Sequence, residues 1–331
     1  MKGRAKQILQ FVIFFGLGGG LMYWQFSGFS NAEREQFYKG LRQANYVWFF
    51  VAVLIGAIAH LLRAVRWQML LTPLNRKVGL GTRFYAVMLG YLANYAFPKL
   101  GEVVRPTVLV ASDDVPFTES FGTVVVERIV DLLCLGLVFL IVLLVEFAQL
   151  QDLFMKYIAD PAVAKFAGIT GSPLKMSLLI GGIVFAVLAF LFIRKKIQGR
   201  AKSFLNGLKD GILSVRKVKN PGMFILHSLL IWAGYYFSMY VVFSCFKETS
   251  MLSLNTALIL LLFGTFGAIF TPGGIGAYQI IITALIVDLS PESAPAAASF
   301  AWLSWGAQVA TVLLFTGIAI LIRPTLNKLN P

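Results

Sequence analysis

Long apolar runs alternate with short polar intervals along most of this chain. A transmembrane helix needs about 20 mostly apolar residues, and the runs that approach or exceed this length are residues 8–26, 46–64, 121–146, 174–193, 223–246 and 296–322. Three other apolar segments, at 84–97, 255–270 and 275–287, are shorter. The pattern predicts an all-α polytopic membrane protein in which residues 1–331 form a single integral membrane domain.

Two breaks rich in proline and glycine interrupt the shorter segments. They have the sequences FPKLGEVVRP at 97–106 and TPGGIGAYQ at 271–279. Non-helical backbone at bilayer depth persists only where protein or a water-filled cavity satisfies its N–H and C=O groups, so such breaks are typical of translocation and binding sites. We therefore interpret the following residues as the breaks of a working site: Pro98, Gly101, Pro272, Gly273, Gly274, Gly276 and Gln279.

The segment lengths and flanking charges predict two re-entrant helical hairpins. The run 84–97 rises only about 21 Å as a helix, against a hydrocarbon core of about 30 Å. We expect it to enter the membrane, turn at 98–101 and leave on the same side, as a hairpin over about 84–110. The pair at 255–287 fits either two full spans or a second hairpin, and we favour the hairpin. Six full spans, with hairpins that enter from opposite sides and meet near the midplane, would fit an inverted-topology repeat.

Composition and charge agree with a membrane protein and indicate its orientation. Charged residues make up 13% of the chain and hydrophobic residues 58%, with a mean hydropathy of +0.78, whereas soluble proteins carry about 25% charged residues. The net charge is +14, but the basic residues fall in short loops, so we expect no nucleic-acid partner. The positive-inside rule predicts cytoplasmic N- and C-termini and basic loops that face anionic lipid. These loops are 194–220, with nine basic residues, and the one containing Arg63, Arg66, Arg76, Lys77 and Arg83.

Several polar residues lie within or beside the predicted membrane segments. Glu102 and Arg105 are three apart, a spacing at which two side chains on one helix can pair. A charged residue at the centre of a membrane helix costs about 2.5–3.5 kcal/mol and is a candidate functional residue by default. An alternative is a buried salt-bridge network that only fixes the first hairpin. We interpret the set as substrate-binding: Asn94, Glu102, Arg105, Glu127, Arg128 and Asp131.

Other polar residues carry weaker signals. His60 precedes Arg63 and Arg66 at helical spacing, and we interpret it as an interfacial residue. Cys134 and Cys245 lie in apolar segments and are expected to be packing residues. The sequence contains no HExxH, GxSxG or nucleotide-binding P-loop. We therefore predict no catalytic residue, no metal site and no cofactor, and we expect that the protein is not an enzyme.

These motifs together resemble the lysylphosphatidylglycerol synthase transmembrane family, also described as flippase-like, of uncharacterised bacterial and archaeal membrane proteins. The resemblance is carried by the segments NYAFPKLGEVVRP, ERIVD and TPGGIG, in that order. It implies an inner-membrane fold with re-entrant segments and a role in moving lipids or lipid-linked headgroups between leaflets. The soluble aminoacyl-transferring domain of the full synthases is absent, so aminoacyl-lipid synthesis is not expected. Gln279 stands where an acid is expected, which argues against proton coupling at that hairpin.

The sequence thus predicts a translocase whose hairpin tips bind the polar headgroup of a membrane phospholipid or lipid-linked substrate. Arg105, with Arg128, would bind a phosphate. A cationic headgroup would instead contact Glu102, Glu127 or Asp131. Two other functions stay open at this stage: an ion-coupled secondary transporter of a small solute, and a membrane-embedded enzyme that modifies lipids.

Overall fold

All regular secondary structure in the described part of the chain is helical. The computed structural model describes residues 16, 19–156, 217–290 and 294–329. The predicted span 174–193, nearly all of the basic loop 194–220 and the first half of the run 8–26 lie outside these residues. Residues 19–27 are helical. The helices that follow are α1 Asn31–Gln43, α2 Tyr46–Leu71, α3 Leu80–Ala96, α4 Gly101–Asp113, α5 Phe117–Val145, α6 Phe147–Phe154, α7 Pro221–Val242, α8 Leu254–Phe270, α9 Ala277–Leu289 and α10 Ala294–Leu329.

Four of the described helical stretches are long and apolar enough to cross a membrane: Tyr46–Leu74, Phe117–Val145, Pro221–Cys245 and Ala294–Arg323. They coincide with four of the six predicted spans. Side-chain contacts fix their relative directions. Helices α5 and α7 both run antiparallel to α2, because Arg66 contacts Glu127 and Ser228 whereas Arg63 contacts Asp131 and Tyr235. Helix α10 runs parallel to α2, with Gly306 against Phe49 and Thr311 against Gly56.

Helix α2 extends seven residues beyond the predicted end of its span. No proline interrupts the chain before Pro73, where a short 3-10 turn, Thr72–Leu74, ends the helix. Arg63 and Arg66 are therefore helical and buried. Arg83 is buried in the first turn of α3, where its guanidinium donates to the carbonyl oxygens of Val78 and Ala64 at 2.8 and 2.7 Å. The interpretation of these three arginines as loop residues facing lipid is wrong.

The residues of the first predicted hairpin form an antiparallel helix pair, α3 and α4. Gly90 packs against Arg105 and Gly101, so the two helices lie in backbone contact where a larger residue would not fit. The Asn94 side chain caps α4 by accepting a hydrogen bond from the Gly101 N–H at 2.7 Å. The hairpin spans residues 80–113, slightly more than the predicted 84–110.

The second hairpin, α8 and α9, reverses at the glycine-rich break. Three glycines there have positive φ: Gly273 at 57°, Gly274 at 80° and Gly276 at 81°. Only glycine adopts this region without strain. The Gln279 side chain accepts a hydrogen bond from the Gly276 N–H at 2.8 Å, so a neutral amide closes the turn at the start of α9.

The two breaks meet inside the helix assembly. The Tyr95 ring, just before the first break, lies directly against Gly273 of the second. Trp305 of α10 fixes the second break by donating to the Gly273 carbonyl at 2.7 Å. Both hairpins pack against α10. The full count of spans, the depth of the hairpins in the bilayer and the inverted repeat stay predictions.

Candidate functional site

A group of charged side chains is buried between α2, α4 and α5. We call this group the arginine cluster; it consists of Arg63, Arg66, Arg105, Glu127, Arg128 and Asp131. Helix spacing explains the arrangement: Arg63 and Arg66 are three apart on α2, and Glu127 and Asp131 are four apart on α5, so each pair shares a face. The two faces oppose each other, with α4 alongside.

Glu127 is at the inner end of the cluster and has no solvent exposure. Its carboxylate accepts from Arg105 at 2.5 Å and from Arg66 at 3.3 Å. The Arg105 guanidinium also lies over the Trp67 ring, 4.2 Å from its centroid, a cation–π contact. The Trp67 indole in turn donates to Thr123 of α5 at 2.8 Å. Arg105 is therefore held by both α2 and α5.

Asp131 is the point at which three arginines converge. Arg63 donates to both carboxylate oxygens of Asp131, at 2.8 and 3.3 Å. A guanidinium nitrogen of Arg66 lies 3.3 Å from this carboxylate, and one of Arg128 lies 3.4 Å from it. Arg128 and Asp131 are three apart on α5, the i, i+3 spacing at which two side chains on one helix can pair. This end of the cluster is less enclosed, because the Asp131 side chain is 13% exposed and that of Arg128 is 36% exposed.

Helix α7 supplies the neutral partners of the cluster. Arg66 donates to the Ser228 hydroxyl at 2.8 Å, and Arg63 donates to the Tyr235 hydroxyl at 3.1 Å. The Tyr235 hydroxyl is also 3.1 Å from the hydroxyl of Tyr91 on α3. His60 packs on the Tyr91 ring, with centroids 4.3 Å apart. The His60 side chain is buried beside the cluster, and its place at the membrane interface stays a prediction.

Positive charge exceeds negative charge in the cluster. Four arginines face two carboxylates, and among the described residues no other carboxylate is ion-paired with these arginines. Among the residues that the structure describes, these buried guanidinium nitrogens have no hydrogen-bond acceptor: Nε of Arg63, Arg66, Arg105 and Arg128, and Nη1 of Arg105. Burying an unneutralised charge is costly unless a partner is supplied. The arrangement is chemically suited to an anion with several oxygen acceptors.

The cluster reaches the apolar outer face of α5. Arg128 and Leu132 are four apart and share a face of the helix, and the exposed fraction of Leu132 is 67%. Ile129 beside them is 48% exposed. In a membrane protein such apolar exposed positions are typically in contact with lipid. Arg128 therefore joins the buried charges to this face.

Comparison with known proteins identifies the family. The family model of the lysylphosphatidylglycerol synthase TM region matches residues 7–322. The chain belongs to this family. It is also 23% identical over 308 residues to the UPF0104 membrane protein PH1989 of Pyrococcus horikoshii, an alignment that covers 83% of this chain and 84% of the relative. No solved structure matches the chain.

Family membership, predicted from the three motifs, is thus confirmed, and the structure brings most of their charged residues together. Arg105 from the first motif pairs with Glu127 from the second, and within the second motif Asp131 pairs with Arg128. The predicted pair of Glu102 and Arg105 is wrong. Arg105 faces α2 and α5, where Glu127 accepts its hydrogen bond, whereas the half-buried Glu102 carboxylate has no ion pair among the described residues. Its predicted contact with a headgroup stays a prediction.

The second break of this family member does not join the cluster. Gly273 contacts Tyr95, and Gly276 contacts Gln279. Within the described residues no group of three or more His, Cys, Asp or Glu could hold a metal ion. Cys134 and Cys245 are free and buried, as expected for packing residues.

Four members of the site environment were missed as site residues: Arg63 and Arg66 on α2, and Ser228 and Tyr235 on α7. The signal for the arginines was present, because no helix breaker separates them from the preceding apolar run. A helix that continued to Thr72 would have placed both on one face, opposite an acidic stripe. Ser228 and Tyr235 carried no comparable signal, since single hydroxyls are common in membrane helices.

Proposed function

We propose that this protein is a lipid translocase that binds the polar headgroup of a phospholipid or lipid-linked substrate in the arginine cluster. The acyl chains would stay in the bilayer while the headgroup crosses. The observation that carries the proposal is that a buried, positively charged cluster continues through Arg128 to the exposed apolar face of α5. A headgroup can reach such a site from the side, whereas a small soluble solute would need an aqueous path.

The first hairpin suits this role because Arg105 enters the cluster from a position near the N-terminus of α4. Arg105 lies one turn after Gly101, the first residue of α4. The start of a helix carries partial positive charge and favours anions. Family membership supports a lipid-related role, and the proposed activity needs no bond-making chemistry, so we do not propose an enzyme.

The proposed setting is the cytoplasmic membrane, with both termini on the cytoplasmic side. Basic loops on that side would contact anionic lipid, each nearby Lys or Arg contributing about 1 kcal/mol. Arg76 lies in such a loop and pairs with Glu119 at 3.0 Å, outside the arginine cluster.

The test is the exchange of labelled phospholipids between leaflets of proteoliposomes that contain the purified protein. We expect exchange with the wild type and a loss of at least about tenfold with Arg105→Ala, because one charge-assisted contact to the headgroup is removed. Arg76→Ala removes an arginine from an ion pair outside the cluster and should leave exchange unchanged.

Folding has to be followed beside transport, because Arg105 is buried. Size-exclusion profiles and thermal midpoints in detergent distinguish an inactive folded variant from an unfolded one, and Arg105→Lys keeps the charge if Ala does not fold. Equal exchange by wild type, Arg105→Ala and Arg105→Lys, with all three folded, would contradict the proposal.

A further inference from the structure

The charge of the arginine cluster indicates which headgroup it takes. Four guanidinium groups and two carboxylates leave two positive charges, and Arg105 is subject to repulsion from Arg63 and Arg128. Because these groups, apart from Arg128, are largely buried, solvent screens their charges weakly. A ligand that neutralises the cluster completely must therefore carry two negative charges.

The unpaired donors indicate the same class of ligand. Five buried guanidinium nitrogens have no acceptor within the described part of the chain, and they belong to all four arginines. A phosphomonoester has three terminal oxygens that accept hydrogen bonds, and it carries two negative charges above its second pKa, which is about 6. A phosphodiester has two terminal oxygens and one charge, and would leave one positive charge in the cluster. A cationic headgroup would increase the excess of positive charge in the cluster.

We propose that the arginine cluster is a site for a phosphomonoester dianion at the end of a lipid, and that it prefers this group to phosphodiester and zwitterionic headgroups. This inference rests on the proposed function, because it assumes that the headgroup enters the cluster. Arg128, at the open end, makes the first contact. Arg105 and Arg63, which already hold unpaired N–H groups, complete the site.

Binding to the whole purified protein in detergent tests this preference. The ligands are short-chain phosphatidate, which ends in a phosphomonoester, phosphatidylglycerol, phosphatidylcholine and inorganic phosphate, measured by titration calorimetry at pH 8 and pH 5. At pH 8 phosphatidate should bind at least about tenfold more tightly than phosphatidylglycerol. This is the ratio of dissociation constants expected when one ligand makes one additional charge-assisted hydrogen bond. At pH 5 the phosphomonoester gains a proton and the ratio should fall.

A matched pair of variants assigns the preference to the cluster. The side chains of Arg128 and Arg76 are each 36% exposed and each is in an ion pair. Arg128→Gln lowers the excess charge from two to one, so the ratio of phosphatidate to phosphatidylglycerol affinity should fall towards one. Arg76→Gln should keep the wild-type ratio.

The outcomes separate this inference from the proposed function. Equal binding of phosphatidate and phosphatidylglycerol at pH 8 would overturn the inference, while Arg105-dependent exchange of any phospholipid would still support translocation. Inorganic phosphate that binds as tightly as phosphatidate would overturn the lipid assignment and indicate a soluble phosphate. No binding and no exchange of any ligand would overturn both.

Discussion

At the scale of single residues, two arginine–carboxylate pairs differ chiefly in burial. Glu127 is completely buried between Arg105 and Arg66, whereas Glu119 and Arg76 form a partly exposed pair. Breaking a buried ion pair leaves an uncompensated charge and costs about 3–5 kcal/mol. A partly exposed pair contributes about 0–1 kcal/mol, since solvent and ions screen it.

We therefore predict that Glu127→Gln lowers the free energy of unfolding by about 3–5 kcal/mol, and that Glu119→Gln changes it by less than about 1 kcal/mol. Denaturant unfolding of the two variants in the same detergent measures the difference. Similar losses for both would contradict the assignment of Glu127 to the centre of the cluster.

At the residue scale, local spacing predicts some contacts of the cluster and leaves others undetermined. The contact of Arg128 with Asp131 was predictable, because its spacing is local. The partner of Arg105 was not predictable. The sequence alone allows Arg105 to pair with either Glu102 or Glu127. The packing of α4 against α5 selects Glu127.

At the scale of elements, the hairpins depend on close contact between backbones. A side chain at Gly101 would collide with the Gly90 carbonyl, whereas one at Gly136 on α5 has nothing within 4 Å. Gly101→Ala should lower stability by about 1–3 kcal/mol, the usual cost of overpacking. Gly136→Ala should leave it unchanged or raise it by about 0.5–1 kcal/mol. Thermal midpoints of both variants provide the check, and a tolerated Gly101→Ala would argue against the tight α3–α4 pair.

Contact between the two breaks predicts energetic coupling. Ala at Gly273 would be strained at φ 57° and would collide with Tyr95. Left-handed backbone costs about 1–2 kcal/mol without glycine. The double variant Gly273→Ala with Tyr95→Ala should be less destabilised than the sum of its single variants, with an interaction of about 0.5–3 kcal/mol. Gly317→Ala, with open space around it, is the matched control, and strict additivity would mean that the breaks do not touch.

The breaks themselves were predictable because proline and glycine act locally on the backbone. The end of α2 was not predicted, because Arg63 and Arg66 were interpreted as the start of a loop. Their charges are instead neutralised in part by α5, a contact 61 to 68 residues away along the chain. Long-range pairing of this kind has no local signature.

At the scale of the whole molecule, both outer ends of the first hairpin lie beside the end of α10. Gly81 touches the Arg323 backbone, and Asp113 interacts electrostatically with Arg323. A re-entrant hairpin predicts that cysteines placed at Lys77 and Asp114 react with a membrane-impermeant reagent from the same side. A cysteine at Lys247, beyond the far end of α7, should react from the other side.

This labelling uses a background with Cys134→Ala and Cys245→Ala, so that only the introduced thiol reacts. Because Lys77 precedes the hairpin and Asp114 follows it, labelling of these two positions from opposite sides would mean that α3 and α4 cross the membrane completely.

The measurement that tests the central claim most directly is phospholipid exchange between leaflets by wild type, Arg128→Gln and Arg76→Gln in matched proteoliposomes. Each substitution removes one equally exposed, ion-paired arginine, so a general effect on folding or surface charge should be similar in the two variants. If the arginine cluster receives lipid headgroups, Arg128→Gln should lose exchange by about tenfold or more while Arg76→Gln keeps it. Equal exchange by all three proteins would contradict the account.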